Sequence, residues 1–344
     1  MMKNPGSFKV ITIEEHFTIG DISARVMMFN KNSGKITPRR AAVQKDLMAI
    51  VLPTNDHIEE VAEQRIKFMD EAGVDMQVLS YGGNSPQNIT DKDLAIGLCK
   101  KTNDTLAELI AANPARFSGF ATLPVTDPAA ASAELDRSVN ELGLRGAMLS
   151  GTLEGRFFDA PEFLPVFQKA SALGVPVYMH PAIINPAVAS YYYQSNSWSD
   201  VAAAMFATAG YGWHVDSGIA IIRMIAAGIF DRLPDLQLIS GHWGELVPFY
   251  LDRLDDQLGK TLTIERRISE YYRSNIHITP AGLFSIPQLQ YAIAEIGADR
   301  ILYAGDYPFL IDRNTRNFIL NAPIAHPDKI KIAHTNAERL LKLC

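Results

Sequence analysis

Eight short runs of β-branched and apolar residues recur along the chain, separated by longer segments with helical periodicity, and this alternation limits the fold more than any other feature. The runs are Lys9–Ile13, Met76–Ser80, Phe117–Leu123, Gly146–Ser150, Val175–Met179, Leu236–Ser240, Ile276–Thr279 and Ile301–Ala304. Between them, Glu59–Ala72, Lys92–Ala112, Ala129–Leu142, Pro161–Leu173, Val201–Ile229, Gly244–Leu258 and Ile286–Ile296 space apolar residues three and four apart, the period of a half-buried helix. Strands that alternate with helices pair in parallel through helical crossovers, and eight of them predict closure into a (β/α)8 TIM barrel. Gly73, Gly143, Gly174 and Gly297 each stand where a helix ends before a strand, a place that wants a left-handed residue. With no linker, low-complexity segment or fixed-period repeat, one domain over residues 1–344 is expected.

Two connections are too long for a simple strand-to-helix turn. Phe17 to Ile58, after the first strand, shows no strand pattern and reads as an insertion loop, the kind that serves as a lid or binding loop. Pro181 to Asp200, after the fifth, carries Tyr191, Tyr192, Tyr193 and Trp198, which suit either an aromatic pocket or a subunit interface.

Composition narrows the function classes. A net charge of −6 with no basic run lacks the electrostatic footprint of phosphate-backbone binding, so nucleic acid is not an expected partner. The apolar stretch Val201 to Phe230 is interrupted by Trp213, His214, Asp216 and Arg223, short of the roughly 18–20 uncharged residues that span lipid. No membrane partner is expected. The first residues, through Phe17, contain no signal-peptide apolar core. The two cysteines, Cys99 and Cys344, form no metal or disulfide motif, and a reducing cytoplasm is the expected compartment.

The active site of such a barrel lies at the C-terminal ends of its strands. Strand one ends Glu14-Glu15-His16, and period-two alternation turns Glu14 and His16 to one side and Glu15 to the other. Strand five ends at His180-Pro181, strand six at Gly241-His242-Trp243-Gly244-Glu245, and strand eight at Gly305-Asp306-Tyr307-Pro308. So many ionisable groups on one rim are costly to bury without a cation, which points to a divalent metal held by Glu14, His16, His180 and Asp306. His242 is then free to act as a general base or as a hydrogen-bond donor to substrate, with Glu245, on a helix that starts there, orienting its ring. Strand four ends without the lysine that bridges two metals in binuclear barrels, so one metal is expected. His57, His214, His326 and His334 read as unpromising, and His277 as structural. Asn84, Ser85 and Arg253 are further polar candidates. Arg253 reads either as part of a solvated ion-pair surface or as a fork for a substrate carboxylate.

Glu14-x-His16, His180-Pro181, Gly241-His242-x-Gly244-Glu245, Asp306-x-Pro308 and the ending His334 to Leu340 resemble the amidohydrolase-2 family, which contains aminocarboxymuconate-semialdehyde decarboxylase. The setting Glu14-Glu15-His16-Phe17 is similar to the branch of γ-resorcylate, 2,3-dihydroxybenzoate and 5-carboxyvanillate decarboxylases. The resemblance covers nearly the whole chain. It implies a single Mn²⁺ or Zn²⁺ on the four ligands above and no organic cofactor. It also implies reversible, non-oxidative release of CO2 from a small ortho-hydroxylated aromatic acid, and a homodimer or homotetramer. By the same resemblance Asp306 delivers the proton and Arg253 reaches a neighbouring subunit's substrate, while His242, held by Glu245, is expected to hydrogen-bond the substrate carboxylate or its hydroxyl partner. The chain departs from the family at Gly305, where Ser or Thr is common, at Ala182, where arginine is frequent, and in the loop Ile183–Ser199. The rival readings are a metal-dependent hydrolase or hydratase of an aromatic-degradation intermediate, and a non-catalytic binding protein.

Overall fold

The computed structural model describes residues 8–33, 37–52 and 56–343. Cys344 and the first seven residues, on which two of the expectations above rest in part, lie outside that range. The strands are β1 (Ile11–Phe17), β2 (Met76–Tyr81), β3 (Phe117–Gly119), β4 (Ala121–Thr122), β5 (Ala147–Ser150), β6 (Val177–His180), β7 (Leu238–Ser240) and β8 (Ile276–Ile278). All ladders are parallel, in the orders β1-β2-β3 and β4-β5-β6-β7-β8.

The third predicted run is split. At Phe120 the ladder hands over, its N–H going to Leu79 O at 2.9 Å while Ala121 N–H goes to Gly146 O at 2.8 Å, so the two sheets continue into one another. Thr122, opposite Met148, ends the strand because the Asn103 carboxamide takes its backbone at both ends, accepting from its N–H at 2.8 Å and donating to its carbonyl at 3.0 Å. The eighth predicted run, Ile301–Ala304, survives as single bonds: Ile301 bridges Ile278 in parallel, and Leu302 N–H donates to Ile278 O at 2.8 Å. Ile13 N–H reaches Tyr303 O at 3.0 Å and closes the circle. Closure removes the free strand edges.

The barrel is a packed core. Ile11, Val78, Phe120, Met148, Ile239 and Leu302 fill its interior, and a second apolar layer lies between strands and helices. The Lys92–Ala112 helix shows how sequence makes such a layer. Asp91 caps its N-terminus by accepting from Leu94 N–H at 3.0 Å, and Ala95, Leu98, Cys99, Thr102 and Leu106 face inward at three- and four-residue spacing. That cap contributes about 1 kcal/mol. Cys99 is buried and free.

Several expectations need correction. The Phe17–Ile58 insertion is helical, with helices at Gly20–Asn32, Pro38–Val51 and Asp56–Glu59. Thr37 and Pro38 start the second of these, Thr37 accepting from Arg40 N–H at 3.3 Å. It presents no buried side chain, which is why periodicity gave no signal there. The Glu59–Ala72 pattern begins as a regular helix only at Glu63. Val201–Ile229 is three helices, Asp200–Ala207, Gly212–Ala226 and Ile229–Arg232, and Gly244–Leu258 is a series of short turns. Gly73 and Gly174 are left-handed helix ends, whereas Gly297, at φ 82° and ψ 150°, is extended in ψ and starts a new turn. Among the described residues no helix is long and apolar enough to cross a membrane.

Candidate metal centre

The centre begins with a defect in β1. Ile11 and Ile13 already face the barrel interior, so strict alternation would turn Glu14 outward; the register against β2 shifts between Thr12 and Glu15, and Glu14 turns in as well. Alternation resumes after it, with Glu15 outward and His16 inward.

Glu14 is fully buried, and its two oxygens have different fates. Oε2 accepts from the Tyr178 hydroxyl and from Thr279 Oγ1 at 3.1 Å. Oε1 has no hydrogen-bond partner and lies 3.5 Å from His180 Nε2 and 4.0 Å from His242 Nε2. Burial pushes the Glu14 carboxyl above the usual range, with His242 pulling it down and Asp306 pushing it further up. His180 Nδ1 lies 2.6 Å from Pro181 O, which places the proton there and leaves the Nε2 lone pair facing inward. Burial, reinforced by the neighbouring His16 and His242, holds His180 well below the ordinary imidazole value, hence neutral. His16 Nδ1 sits 3.3 Å from Ser80 Oγ, and its Nε2, buried and unpartnered, lies 3.3 Å from Asp306 Oδ1. Gly241 completes the cradle. A Cβ there would stand 2.7 Å from the Tyr178 hydroxyl and 3.1 Å from Glu14 Oε2.

Two orphaned buried atoms, Glu14 Oε1 and His16 Nε2, thus share a small space with the neutral His180 Nε2, and Asp306 Oδ1 stands at its edge, 3.3 Å from His16 Nε2. Leaving such groups unpaired is costly, and a divalent cation with N and O ligands satisfies all four together. The donor set therefore fits a metal ion on Glu14, His16, His180 and Asp306. The last is only 15% exposed and, at φ 59°, sits on left-handed backbone.

That backbone is held by Glu15, which the sequence reading did not single out. Its carboxylate accepts from Gly305 N–H at 2.8 Å, Tyr307 N–H at 3.1 Å and Gln77 Nε2 at 3.2 Å. Burial raises its carboxyl to about 7, against the pull of those backbone donors. Behind it the buried Arg65 guanidinium donates to His16 O at 2.5 Å and lies 4.7 Å from the centre of the Tyr307 ring.

His242 flanks these four candidate ligands, its Nε2 4.0 Å from Glu14 Oε1. Burial alone would depress its imidazole, but the carboxylates of Glu245 and Glu14 overcome this and raise it to about 10. Its Nδ1 meets Glu245 Oε1 at 2.8 Å. The expected helix is not there. His242, Trp243, Gly244, Glu245 and Leu246 all have positive φ, at 45°, 59°, 80°, 54° and 68°, so the pair faces one way on a left-handed turn. His214, which read as unpromising in the sequence, bonds the other Glu245 oxygen, its Nδ1 2.9 Å from Oε2.

Other candidates fall outside. Arg253 is exposed and does not join the groups around Glu14. Ser85 caps the Pro86–Asn88 turn by accepting from Gln87 N–H at 3.3 Å, and Asn84 beside it shows no tie to the centre. The rings of Tyr191, Tyr192, Tyr193 and Trp198 contact one another and Phe206 rather than the centre. His277 is buried within β8, where burial and the nearby Arg300 and Arg339 lower its imidazole to about 3. A cavity of about 350 Å³ between the Pro38–Val51 and Asp200–Ala207 helices includes none of the four ligands in its lining.

A closed parallel barrel whose C-terminal rim gathers two carboxylates and two imidazoles around orphaned lone pairs is the build of a metal-dependent barrel enzyme. The Amidohydrolase family model matches residues 16–343, and the chain belongs to that family. It is 36% identical over 296 residues to gamma-resorcylate decarboxylase of Rhizobium sp. (strain MTP-10005), covering 83% of this chain and 88% of that protein. Among solved structures it resembles 2,6-dihydroxybenzoate decarboxylase complexed with 2,6-dihydroxybenzoate, with a TM-score of 0.81, 32% identity and coverage of 98% and 100% of the two chains. It also resembles dihydroxybenzoic acid decarboxylase from Polaromonas sp. JS666 with bound manganese and 2-nitroresorcinol, with a TM-score of 0.81, 29% identity and 98% of each chain covered.

Proposed function

We propose that this protein is a metal-dependent, non-oxidative decarboxylase of an ortho-hydroxylated aromatic acid such as 2,6-dihydroxybenzoate, working in the cytoplasm as one barrel domain without an organic cofactor. The observation that carries the reading is the pair of buried, unpartnered atoms, Glu14 Oε1 and His16 Nε2, facing His180 Nε2 and Asp306 Oδ1. Manganese in a solved relative favours Mn²⁺, and the N and O donor set accepts Zn²⁺ equally well.

Loss of CO2 from an aryl acid requires a proton at the carbon that carries the carboxylate, because the electrons left behind otherwise have no acceptor. A bound divalent ion supplies Lewis-acid charge that favours the ortho phenolate and fixes the ring. The protein's own groups do the rest. Tyr178 and Thr279 saturate one oxygen of Glu14 and so aim the other at the cation. His242 donates from Nε2 to the substrate carboxylate or its neighbouring hydroxyl, its charge supported by Glu245. A cation on Glu14 draws on the same negative charge and lowers the His242 value, leaving Glu245 as its main partner. Asp306, at the mouth of the cluster, takes a proton from water or from a substrate hydroxyl and passes it to the ring carbon.

The homo-oligomer proposed here has support in an exposed apolar surface beside Arg253. Phe249 is 72% exposed and Tyr250 56%, a surface suited to a neighbouring subunit, whose substrate Arg253 reaches on the family resemblance.

The test is CO2 release by Mn²⁺- and Zn²⁺-loaded protein from 2,6-dihydroxybenzoate, 2,3-dihydroxybenzoate, salicylate and 5-carboxyvanillate. Metal-dependent release is expected, and Asp306→Asn should lower kcat by at least about a hundredfold with metal content retained. Metal-loaded protein that releases no CO2 but adds water to an unsaturated aromatic-degradation acid would replace this reading with the hydratase one.

A further inference from the structure

Glu245 is wholly buried, and a carboxylate held at one oxygen is free to turn about its broad terminal torsion. Here each oxygen is taken by a different imidazole: Oε1 by His242 Nδ1 at 2.8 Å and Oε2 by His214 Nδ1 at 2.9 Å. The two rings pack edge to face at 4.3 Å. His214 is held from behind, its Nε2 lying 3.1 Å from both Trp213 Nε1 and Ala209 O. The Trp213 indole N–H can only donate, so Nε2 accepts from it and the ring's proton sits on Nδ1, facing Glu245.

The backbone gives a second, independent sign. His214 and Gly218 are four residues apart on the Gly212–Ala226 helix and so share a face. A Cβ on Gly218 would lie 2.3 Å from the Glu245 carbonyl oxygen, so this helix face is docked directly on the left-handed turn. Such a turn, with four of its five residues not glycine, persists only where its surroundings over-determine it.

We propose that His214 is a positioning residue of the reaction centre: by gripping the far oxygen of Glu245 it fixes the rotation of the His242 ring and thus the direction of Nε2 toward the Glu14 site. The three side chains have the donor types of a second metal site, but their nitrogens and oxygens lie at hydrogen-bond distance from each other. Glu14 Oε1 and His16 Nε2, in contrast, have no partner. Among the described residues, then, one donor set is left unpaired, and one metal per chain is the expected content.

The activity arm of the test rests on the decarboxylase reading; the spectroscopic arm does not. In Zn²⁺-loaded protein labelled with ¹⁵N-histidine, His214 and His242 should each show a protonated Nδ1 at low field. His214→Leu should remove one signal and shift the other, while metal content stays at one per chain. With 2,6-dihydroxybenzoate, His214→Leu should lower kcat about 10- to 100-fold with KM within about threefold, the range seen when a partner behind a reacting group is removed. His214→Gln, which keeps a donor, should recover most of that loss. An unmoved His242 signal in His214→Leu overturns the proposal, as does a kcat within about twofold of the wild type or a second metal ion lost with His214. Should the wild type itself release no CO2, the functional reading fails, and the His242 signal still decides the role of His214.

Discussion

Tyr178 illustrates how much of the centre rests on a single hydroxyl. It saturates the Glu14 oxygen that does not face His180, and without it Thr279 remains to orient that carboxylate. Tyr178→Phe should weaken metal affinity about 10- to 100-fold with the fold intact, as measured by chelator competition; unchanged affinity would mean that Thr279 alone suffices. His277 gives a pH-dependent prediction away from the metal. Its folded value, near 3, lies below the unfolded value of about 6.5, so between them the unfolded chain binds the extra proton. The stability held by the neutral imidazole is therefore complete above pH 6.5 and is lost as pH falls toward 3, at about 1.4 kcal/mol per unit. From pH 7 to pH 5, urea unfolding of the wild type should lose about 2 kcal/mol more than that of His277→Met.

Among the secondary-structure elements, the left-handed turn and the insertion helices stand at opposite ends of stability. The turn spends conformational strain but is surrounded: Trp243 N–H donates to Thr279 O at 2.7 Å and its indole N–H to Leu283 O at 2.8 Å. The Pro38–Val51 helix has no buried side chain, and its salt link, Arg39 to Asp200 at 2.8 Å, is exposed and contributes little. Its amides should exchange orders of magnitude faster than those of the buried Lys92–Ala112 helix in native-state hydrogen exchange. Equal protection in the two would show that the insertion is clamped by something outside one copy of the chain.

For the assembled protein, the proposed subunit contact joins stability to catalysis. Light scattering should give at least a dimer, and Arg253→Ala should lower kcat/KM about tenfold or more while leaving metal content unchanged, the cost of losing a bidentate carboxylate contact. Mixing Arg253→Ala with Asp306→Asn protein should restore part of the activity, because a mixed dimer contains one intact pairing of Asp306 and Arg253. A monomer, or mixtures no more active than either parent, would rule out a site shared between subunits.

The barrel was legible because it follows from local pattern: strand–helix alternation sets closure, and closure puts the four proposed ligands, Glu14, His16, His180 and Asp306, on one rim. Tyr178 was within reach of the same logic, two residues before His180 on the same strand face. The rest was not. His214 meets Glu245 across 31 residues and Tyr178 meets Glu14 across 164, separations that no periodicity encodes. The left-handed turn contains a single glycine, so nothing in its residues announces it, and the inward Glu14 depends on a register shift against β2. Short-range sequence thus carried the elements and the donor types. Only packing, which weighs backbone strain and buried charge against contacts made elsewhere in the fold, decided which oxygen of each carboxylate is taken and which is left for the metal.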